Sequence, residues 1–154
     1  MLDLEIEEPI IEQEEENMPS FNHSYLCGEI LLHLAQNPAI KALPELTLDI
    51  DKGLTPDISV YPKEKIRPNF WQDFIKYPEM PIIAIEIVSP TQSIQSLLEK
   101  AAILVSHGIA AVWTVEPFGR SVFVVTAEGK EVLHNQEVET AGIKVDFKRI
   151  FAEG

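Results

Sequence analysis

The amino-acid sequence predicts an α/β fold in which helices pack on a central mixed β-sheet. Three observations lead to this prediction: an apolar run at residues 82–88 without polar alternation, and two segments of helical apolar spacing, residues 20–36 and 91–107. A strand that is apolar on both faces is typical of a sheet covered on both sides. The two helical segments, each with an apolar stripe, are expected to provide that cover.

The length and charge of the chain predict one globular domain with an acidic tail. The 154 residues can form one domain with its own core, and no apolar run reaches the length of a membrane-spanning helix. Residues 1–17 contain eight acidic residues and no basic one, which predicts an N-terminal tail. Residues 18–154 are predicted to form the domain; their 17 acidic and 12 basic residues disfavour tight, nonspecific nucleic-acid binding.

The single cysteine bears on the compartment. Because Cys27 is the only cysteine, no internal disulfide can form, and its position among apolar residues at helical spacing indicates a buried thiol. Free thiols are typical of a reducing environment. The sequence therefore predicts a cytoplasmic protein that has no association with a membrane.

The first half of the chain predicts one helix and two strands. The helix is expected to begin after Ser20, a favoured N-cap residue, and to end at residue 36 before Asn37-Pro38. Alternating polar and apolar residues at 45–50 predict a half-buried strand, and residues 57–61 predict a second one. Four prolines exclude long regular elements from residues 62–81.

The second half predicts the middle of the sheet and its remaining strands. Residues 82–88 are expected to form the central strand, followed by a helix over 91–107 that Gly108 ends. Residues 111–115 and 121–125 predict the next strands, which a short turn can join as a hairpin. Weaker strand patterns are found at 131–133 and 143–145.

Two carboxylates in this arrangement are candidates for a metal site. Asp57 begins one predicted strand, and Glu86 lies inside the apolar central strand, where an acid costs free energy unless a partner compensates it. If the two strands are neighbours, both carboxylates can bind one divalent ion. The alternative is a salt bridge between Glu86 and a basic residue of the following helix. The residue pattern leaves both interpretations open.

The order of several motifs resembles a known family. The motifs are TPD at 55–57, IAIEIVSP at 83–90, a lysine in the next helix, GI at 108–109 and VWTVEP at 112–117. Over residues 20–151 this order is similar to that of the Uma-type endonucleases, members of the restriction-endonuclease-like, PD-(D/E)XK superfamily. The resemblance implies a restriction-endonuclease-like fold. It also implies a metal-dependent endonuclease that hydrolyses phosphodiester bonds of nucleic acid, chiefly DNA.

The same resemblance assigns roles to individual residues. It implies that Asp57 and Glu86 are catalytic metal ligands, that the carbonyl oxygen of Ile87 is the third ligand, and that Mg²⁺ or Mn²⁺ is the cofactor. The superfamily lysine, two residues after the second acid, is replaced here by Val88. In this family the lysine is commonly displaced into the next helix, where Lys100 matches it. Lys100 borders the apolar stripe, so its stem can pack while its ammonium extends to the strand end. The alternative is an ordinary solvated lysine that pairs with Glu99 or another neighbour.

Departures from the family pattern support a second function. Besides Val88, the chain has Ser96 where many relatives carry an acid and Leu104 where they carry a tyrosine. These replacements, and the acidity of the chain, favour a catalytically impaired, dimeric interaction module that keeps the nuclease fold. Ile103, expected on the helix face opposite the core, suggests a partner surface, and a homodimer is the expected assembly.

Other residues receive weaker assignments. His23 is expected to be a core histidine with a satisfied ring rather than a base, and Glu29 a solvated residue rather than an extra ligand. His107 is explained by its favourable position at a helix C-terminus, and the family analogy permits substrate contacts by Gln92 and Gln95. The basic stretch at 63–67, near several aromatic residues, fits a phosphate-contacting loop and a solvated loop equally well.

Overall fold

The computed structural model describes residues 18–154; the predicted acidic tail, residues 1–17, lies outside the described residues. A short 3-10 turn, Lys63–Lys65, follows the strand Ile58–Pro62. No helix within the described part of the chain is long and apolar enough to cross a membrane. The elements follow in the order α1 (Phe21–Ala35), β1 (Ile40–Pro44), β2 (Ile58–Pro62), β3 (Ile83–Ile87), α2 (Ile94–Ser106), β4 (Ala111–Glu116), β5 (Ser121–Thr126), β6 (Gly129–His134), β7 (Glu137–Thr140), β8 (Ile143–Asp146) and α3 (Phe147–Phe151).

Six strands form the central mixed sheet, in the spatial order β1-β2-β3-β4-β5-β6. β3 and β4 pair in parallel, with α2 as the crossover between them, and the other neighbouring pairs are antiparallel. All five residues of β3 are buried, as the apolar run predicted. β4 and β5 form the predicted hairpin. The predicted α/β fold with a central mixed sheet is therefore confirmed.

The sheet separates two apolar clusters, and this separation orients the acid in β3. Ile83, Ile85 and Ile87 join the first cluster, with residues from α1, β7, β8 and α3. Ala84 joins the second cluster, with Ala101 and other residues of α2. Successive side chains of a strand point to opposite faces. Glu86 therefore lies on the α2 side of the sheet.

Serine side chains cap the two long helices. The Oγ of Ser20 accepts the N–H of His23 at 3.2 Å, so α1 begins where the sequence predicted. In α2 the Oγ of Ser93 accepts the N–H of Ser96 at 3.0 Å. This cap places the start of α2 at Ile94, three residues later than predicted, because the residues before it form a turn.

The predicted strand at residues 45–50 is wrong. The edge strand is β1, which ends at Pro44, and Glu45 has a positive φ of 51° that ends the extended chain. Leu48 and Ile50 are buried in the second apolar cluster as loop residues. Their alternation thus reflects burial, with isolated β-bridges from Leu48 to Leu54 and Tyr77 in place of a strand. The sequence patterns did not predict β7 and α3, which cover the first cluster.

Cys27 provides a test of the local environment of α1. Its side chain is half-buried, and burial, assisted by the carboxylates of Asp57 and Glu45, raises the pKa of the thiol to about 11. Because the thiolate is the nucleophile, this pKa lowers the reactive fraction at pH 8 by roughly 10²-fold. We expect iodoacetamide at pH 8 to modify the folded protein at least tenfold more slowly than the urea-unfolded protein. Equal rates would contradict this environment.

Candidate active site

Asp57 and Glu86 meet where the backbone pairing of β2 with β3 ends. The ladder between these strands reaches Ile58 opposite Ile85, and beyond it the two acidic side chains replace backbone pairing. The N–H of Asp57 donates to Oε1 of Glu86 at 2.7 Å, and the N–H of Ile87 donates to Oδ2 of Asp57 at 2.7 Å. Each acid thus fixes the backbone of the other strand.

Lys100 reaches this pair of acids from α2. Its Nζ lies 2.7 Å from Oε2 of Glu86 and also donates to the carbonyl oxygen of Thr55 at 3.2 Å. The side chain of Glu86 is only 4% exposed, whereas that of Lys100 retains partial contact with solvent. The ammonium is therefore the part of this ion pair that an incoming ligand can contact. Its position agrees with the expectation that the Lys100 stem packs while its head reaches the strand end.

His23 is a second side chain bound to the acid pair. It is buried on α1, and its Nε2 lies 3.0 Å from Oδ2 of Asp57. The sequence predicted a core histidine with a satisfied ring at this position but did not identify Asp57 as its partner. A polar ring in the middle of an apolar helix face requires a partner. No motif in the sequence, however, links position 23 to position 57.

The pKa values of the buried groups reflect their close packing. Burial raises the pKa of Glu86 above its ordinary value, and the Lys100 ammonium offsets only part of that effect. The hydrogen bond with Asp57 raises the pKa of His23, although burial of the ring acts in the opposite direction. The acid pair is thus flanked by one ammonium and by an imidazole whose protonated form the site favours.

The donor chemistry fits a hard divalent cation. Asp57 and Glu86 supply carboxylate oxygens, and the carbonyl of Ile87 lies on the same strand edge as its N–H, which donates to Asp57. Within residues 18–154, no group of three or more His, Cys, Asp or Glu side chains is arranged to hold a metal. Mg²⁺ is often held by one or two carboxylates, with water or substrate phosphate completing its shell. The residues present therefore fit Mg²⁺ or Mn²⁺ bound in this way.

The ion pair alone does not distinguish the two interpretations of Glu86. A salt bridge to a basic residue of the following helix was the structural alternative, and Lys100 provides that bridge. A salt bridge between Glu86 and Lys100 does not by itself require Asp57. Asp57 nevertheless belongs to the same hydrogen-bond network, as a metal site would require. Val88, at the usual position of the lysine, donates its N–H to Val115 in β4 at 2.9 Å.

The remaining candidates contact other groups. The ring of His107 contacts the carbonyl oxygen of Ile103 on its own helix at 2.9 Å. Gln92 accepts the N–H of Ser89, and Gln95 donates to Glu99. Glu29 is half-buried on α1, and its backbone carbonyl contacts the ring of His33. Among the described contacts of the acid pair, none involves these candidates.

Comparisons with known proteins agree with this fold and these motifs. A crystal structure described as "a putative nuclease belonging to DUF820", from Anabaena variabilis ATCC 29413, is similar with a TM-score of 0.76. It is 24% identical in sequence, and the match covers 88% of this chain and 83% of that chain, which shows the fold. No curated protein matches the sequence. The resemblance inferred from the motifs is confirmed, because residues 7–152 match the family Uma2, described as "Putative restriction endonuclease". This chain therefore belongs to the Uma2 family.

Proposed function

We propose that this protein is an endonuclease that uses Mg²⁺ or Mn²⁺ to hydrolyse phosphodiester bonds, with DNA as its main substrate. One observation carries the proposal: across the ends of two strands the N–H of Asp57 donates to Glu86 and the N–H of Ile87 donates to Asp57, with the Lys100 ammonium against Glu86. Membership of a family described as restriction endonucleases supports a nucleic-acid substrate. Hard oxygen donors beside a cationic side chain suit phosphodiester hydrolysis.

Each residue of the site has a distinct role in the proposal. Asp57, Glu86 and the carbonyl of Ile87 bind the divalent cation, which, when bound, supplies Lewis acidity and an activated water. The Lys100 ammonium orients the attacking water and stabilises the negative charge that develops on the phosphate. His23 holds the Asp57 carboxylate in place through the 3.0 Å contact. Glu86, bonded on both oxygens, is fixed in orientation before the substrate arrives.

Charge makes the proposed activity depend on the cation. The acid pair lies in a domain with a net charge of −5, so without a divalent ion the site repels a phosphodiester. We therefore expect cleavage to require Mg²⁺ or Mn²⁺ and to be stronger at low salt, where the weak attraction of the substrate is least screened.

The test is a cleavage assay with duplex and single-stranded DNA and RNA at low salt. Wild-type protein is expected to cleave the nucleic acid when Mg²⁺ or Mn²⁺ is present. Cleavage should stop when EDTA is added. Asp57→Ala should reduce cleavage by about 10²-fold or more, because it removes a carboxylate that orients the cation. Asp49→Ala, which removes an exposed aspartate outside the site, is the matched control and should cleave like wild type.

Several outcomes of this assay oppose the proposal. Cleavage that persists in an Asp57→Ala, Lys100→Ala double variant would identify a contaminating nuclease. An absence of cleavage on every substrate would favour the interaction module, which the exposed Ile103 on α2 and the Val88 replacement support. In that case, sedimentation should show a homodimer that Ile103→Asp dissociates.

A further inference from the structure

A second surface, outside the acid pair, combines basic and aromatic side chains. A groove of about 670 Å³ lies between β1 and the segment at 63–77 that follows β2. Its lining includes three cations and three aromatic rings: Lys41, Lys63, Arg67, Phe70, Phe74 and Tyr77. We refer to it as the basic–aromatic groove. None of these six side chains has a part in the proposed chemistry.

The charge of the basic–aromatic groove is opposite to that of the protein. Three of the 12 basic residues of the chain line it, in a domain whose net charge is −5. The one acidic residue of the lining, Asp73, is engaged locally, because its Oδ1 accepts the backbone N–H of Phe74 at 2.8 Å. A local excess of positive charge on an acidic protein indicates an anionic ligand.

Several aromatic side chains of this region are exposed, and two of them, Phe74 and Tyr77, are supported by ring packing. Phe70 is 95% exposed, and its neighbour Trp71 is 96% exposed. Phe74 packs edge-to-face on Tyr77, and Tyr77 packs in the same way on the buried Tyr61, each with a ring-centroid distance of 5.6 Å. Such rings offer flat, anchored surfaces on which planar ligands can stack. Nucleic-acid bases stack on aromatic side chains irrespective of sequence.

Two residues that line the basic–aromatic groove lie close to the chain around Asp57. Leu43 in its lining pairs with Ser59 of β2, two residues after Asp57. Leu46, also in the lining, follows Glu45, whose N–H donates to the carbonyl of Asp57 at 2.9 Å. The backbone thus places part of the groove lining beside the strand end that carries Asp57.

We infer that the basic–aromatic groove binds an unpaired nucleic-acid strand next to the cleavage site. Lys41, Lys63 and Arg67 contact its phosphates, and Phe70 and Phe74 stack on its bases. Within a duplex the faces of a base are already stacked on its neighbours, so rings in a groove can reach them only in an unpaired strand. The inference rests on the proposed function and specifies the substrate class of that site.

The test measures binding in EDTA, where no cleavage is expected. A fluorescein-labelled dT₁₂ strand and a 12-base-pair duplex are titrated with the full-length protein at low salt. We expect the single strand to bind at least about tenfold more tightly than the duplex. Trp71 neighbours Phe70 of the lining and is the exposed tryptophan of the chain, since the other one, Trp113, is fully buried. Its fluorescence should be quenched by the single strand.

Matched variants separate stacking from charge. Phe70→Ala and Phe74→Ala should each weaken binding of the single strand by about tenfold, the scale of one lost stacking contact. Phe118→Ala, which removes a fully exposed ring in the β4–β5 turn, should have no effect. Arg67→Ala should lower the slope of log affinity against log salt by about 0.7, whereas Lys130→Ala, on the opposite sheet edge, should not.

The failure of this inference is distinguishable from the failure of the proposed function. Equal affinity for duplex and single strand, or groove variants that bind like wild type, would overturn the groove assignment even if metal-dependent cleavage is observed. Groove-dependent binding without any cleavage would refute the endonuclease proposal and leave the groove in place. A dimer that Phe70→Ala dissociates would assign the groove to a second copy of the chain and overturn the inference.

Discussion

Lys100→Met should reduce nucleic-acid cleavage by roughly 10²-fold or more while leaving the binding of Mn²⁺ intact. The ammonium of Lys100 lies 2.7 Å from Glu86 on a partly exposed side chain, so its loss removes a group that orients the attacking water and stabilises the developing charge. A lysine is no ligand for Mn²⁺, and its removal lowers the repulsion of the metal. Asp57→Ala should instead lose cleavage and metal binding together.

Single-turnover cleavage and calorimetric Mn²⁺ titration provide the measurements, with Lys130→Met as the control at an exposed site. Removing Lys100 also leaves Glu86 buried without its cation, so the thermal midpoint of each variant must be recorded. Lys100→Arg keeps the charge, and its cleavage shows whether charge alone is sufficient. Equal Mn²⁺ affinity in wild type and Asp57→Ala would refute the metal site.

Trp113→Ala should destabilise the fold by about 3–5 kcal/mol, the usual cost of truncating a large buried aromatic side chain. Trp113 is fully buried in β4, packs against Phe147 with a ring-centroid distance of 6.0 Å, and donates its indole N–H to Oγ1 of Thr140 at 3.0 Å. The substitution thus opens a cavity and leaves Thr140 without this donor. The side chain joins the central sheet to α3 and β7.

Urea denaturation, monitored by circular dichroism, measures the expected decrease in the free energy of unfolding. Trp71→Ala is the matched control, because the same substitution at a 96% exposed side chain should change the free energy of unfolding by less than about 0.5 kcal/mol. Trp113→Phe should fall between wild type and Trp113→Ala. A Trp113→Ala midpoint within error of wild type would contradict the described packing of β4.

The central elements of the fold were predictable because local patterns and tertiary burial agree there. The apolar run at 82–88 identified β3, since only a strand covered on both faces is apolar throughout. Ser20 and the apolar stripe that follows it identified α1. The predicted strand at 45–50 was wrong because burial of Leu48 and Ile50 in a loop produces the same alternation as a strand. The period of apolar residues in a sequence shows which residues are buried, whereas the pairing of strands has to be inferred from that period.

The candidate site was predictable in composition but not in its connections. The motifs identified Asp57, Glu86 and Lys100, which the structure brings into one hydrogen-bond network. His23 was not linked to Asp57, because a contact across 34 residues leaves no local trace in a single sequence. The basic–aromatic groove requires side chains from β1 and from the segment at 63–77. The position of the groove beside Asp57 depends on the register of β1 and β2, which the composition of the sequence does not specify.

The reciprocal hydrogen bonds of the acid pair affect how an inactive variant should be chosen. An amide keeps one acceptor but presents a donor where the carboxylate had its second oxygen. In Asp57→Asn, the carbonyl oxygen of the amide can take the place of Oδ2, accept the N–H of Ile87 and keep the contact with Nε2 of His23, while the NH₂ takes the place of Oδ1. In Glu86→Gln, the NH₂ faces the ammonium of Lys100, which has no lone pair to offer. Asparagine at 57 is thus the substitution that keeps the strand ends joined, and it suits the trapping of an uncleaved complex.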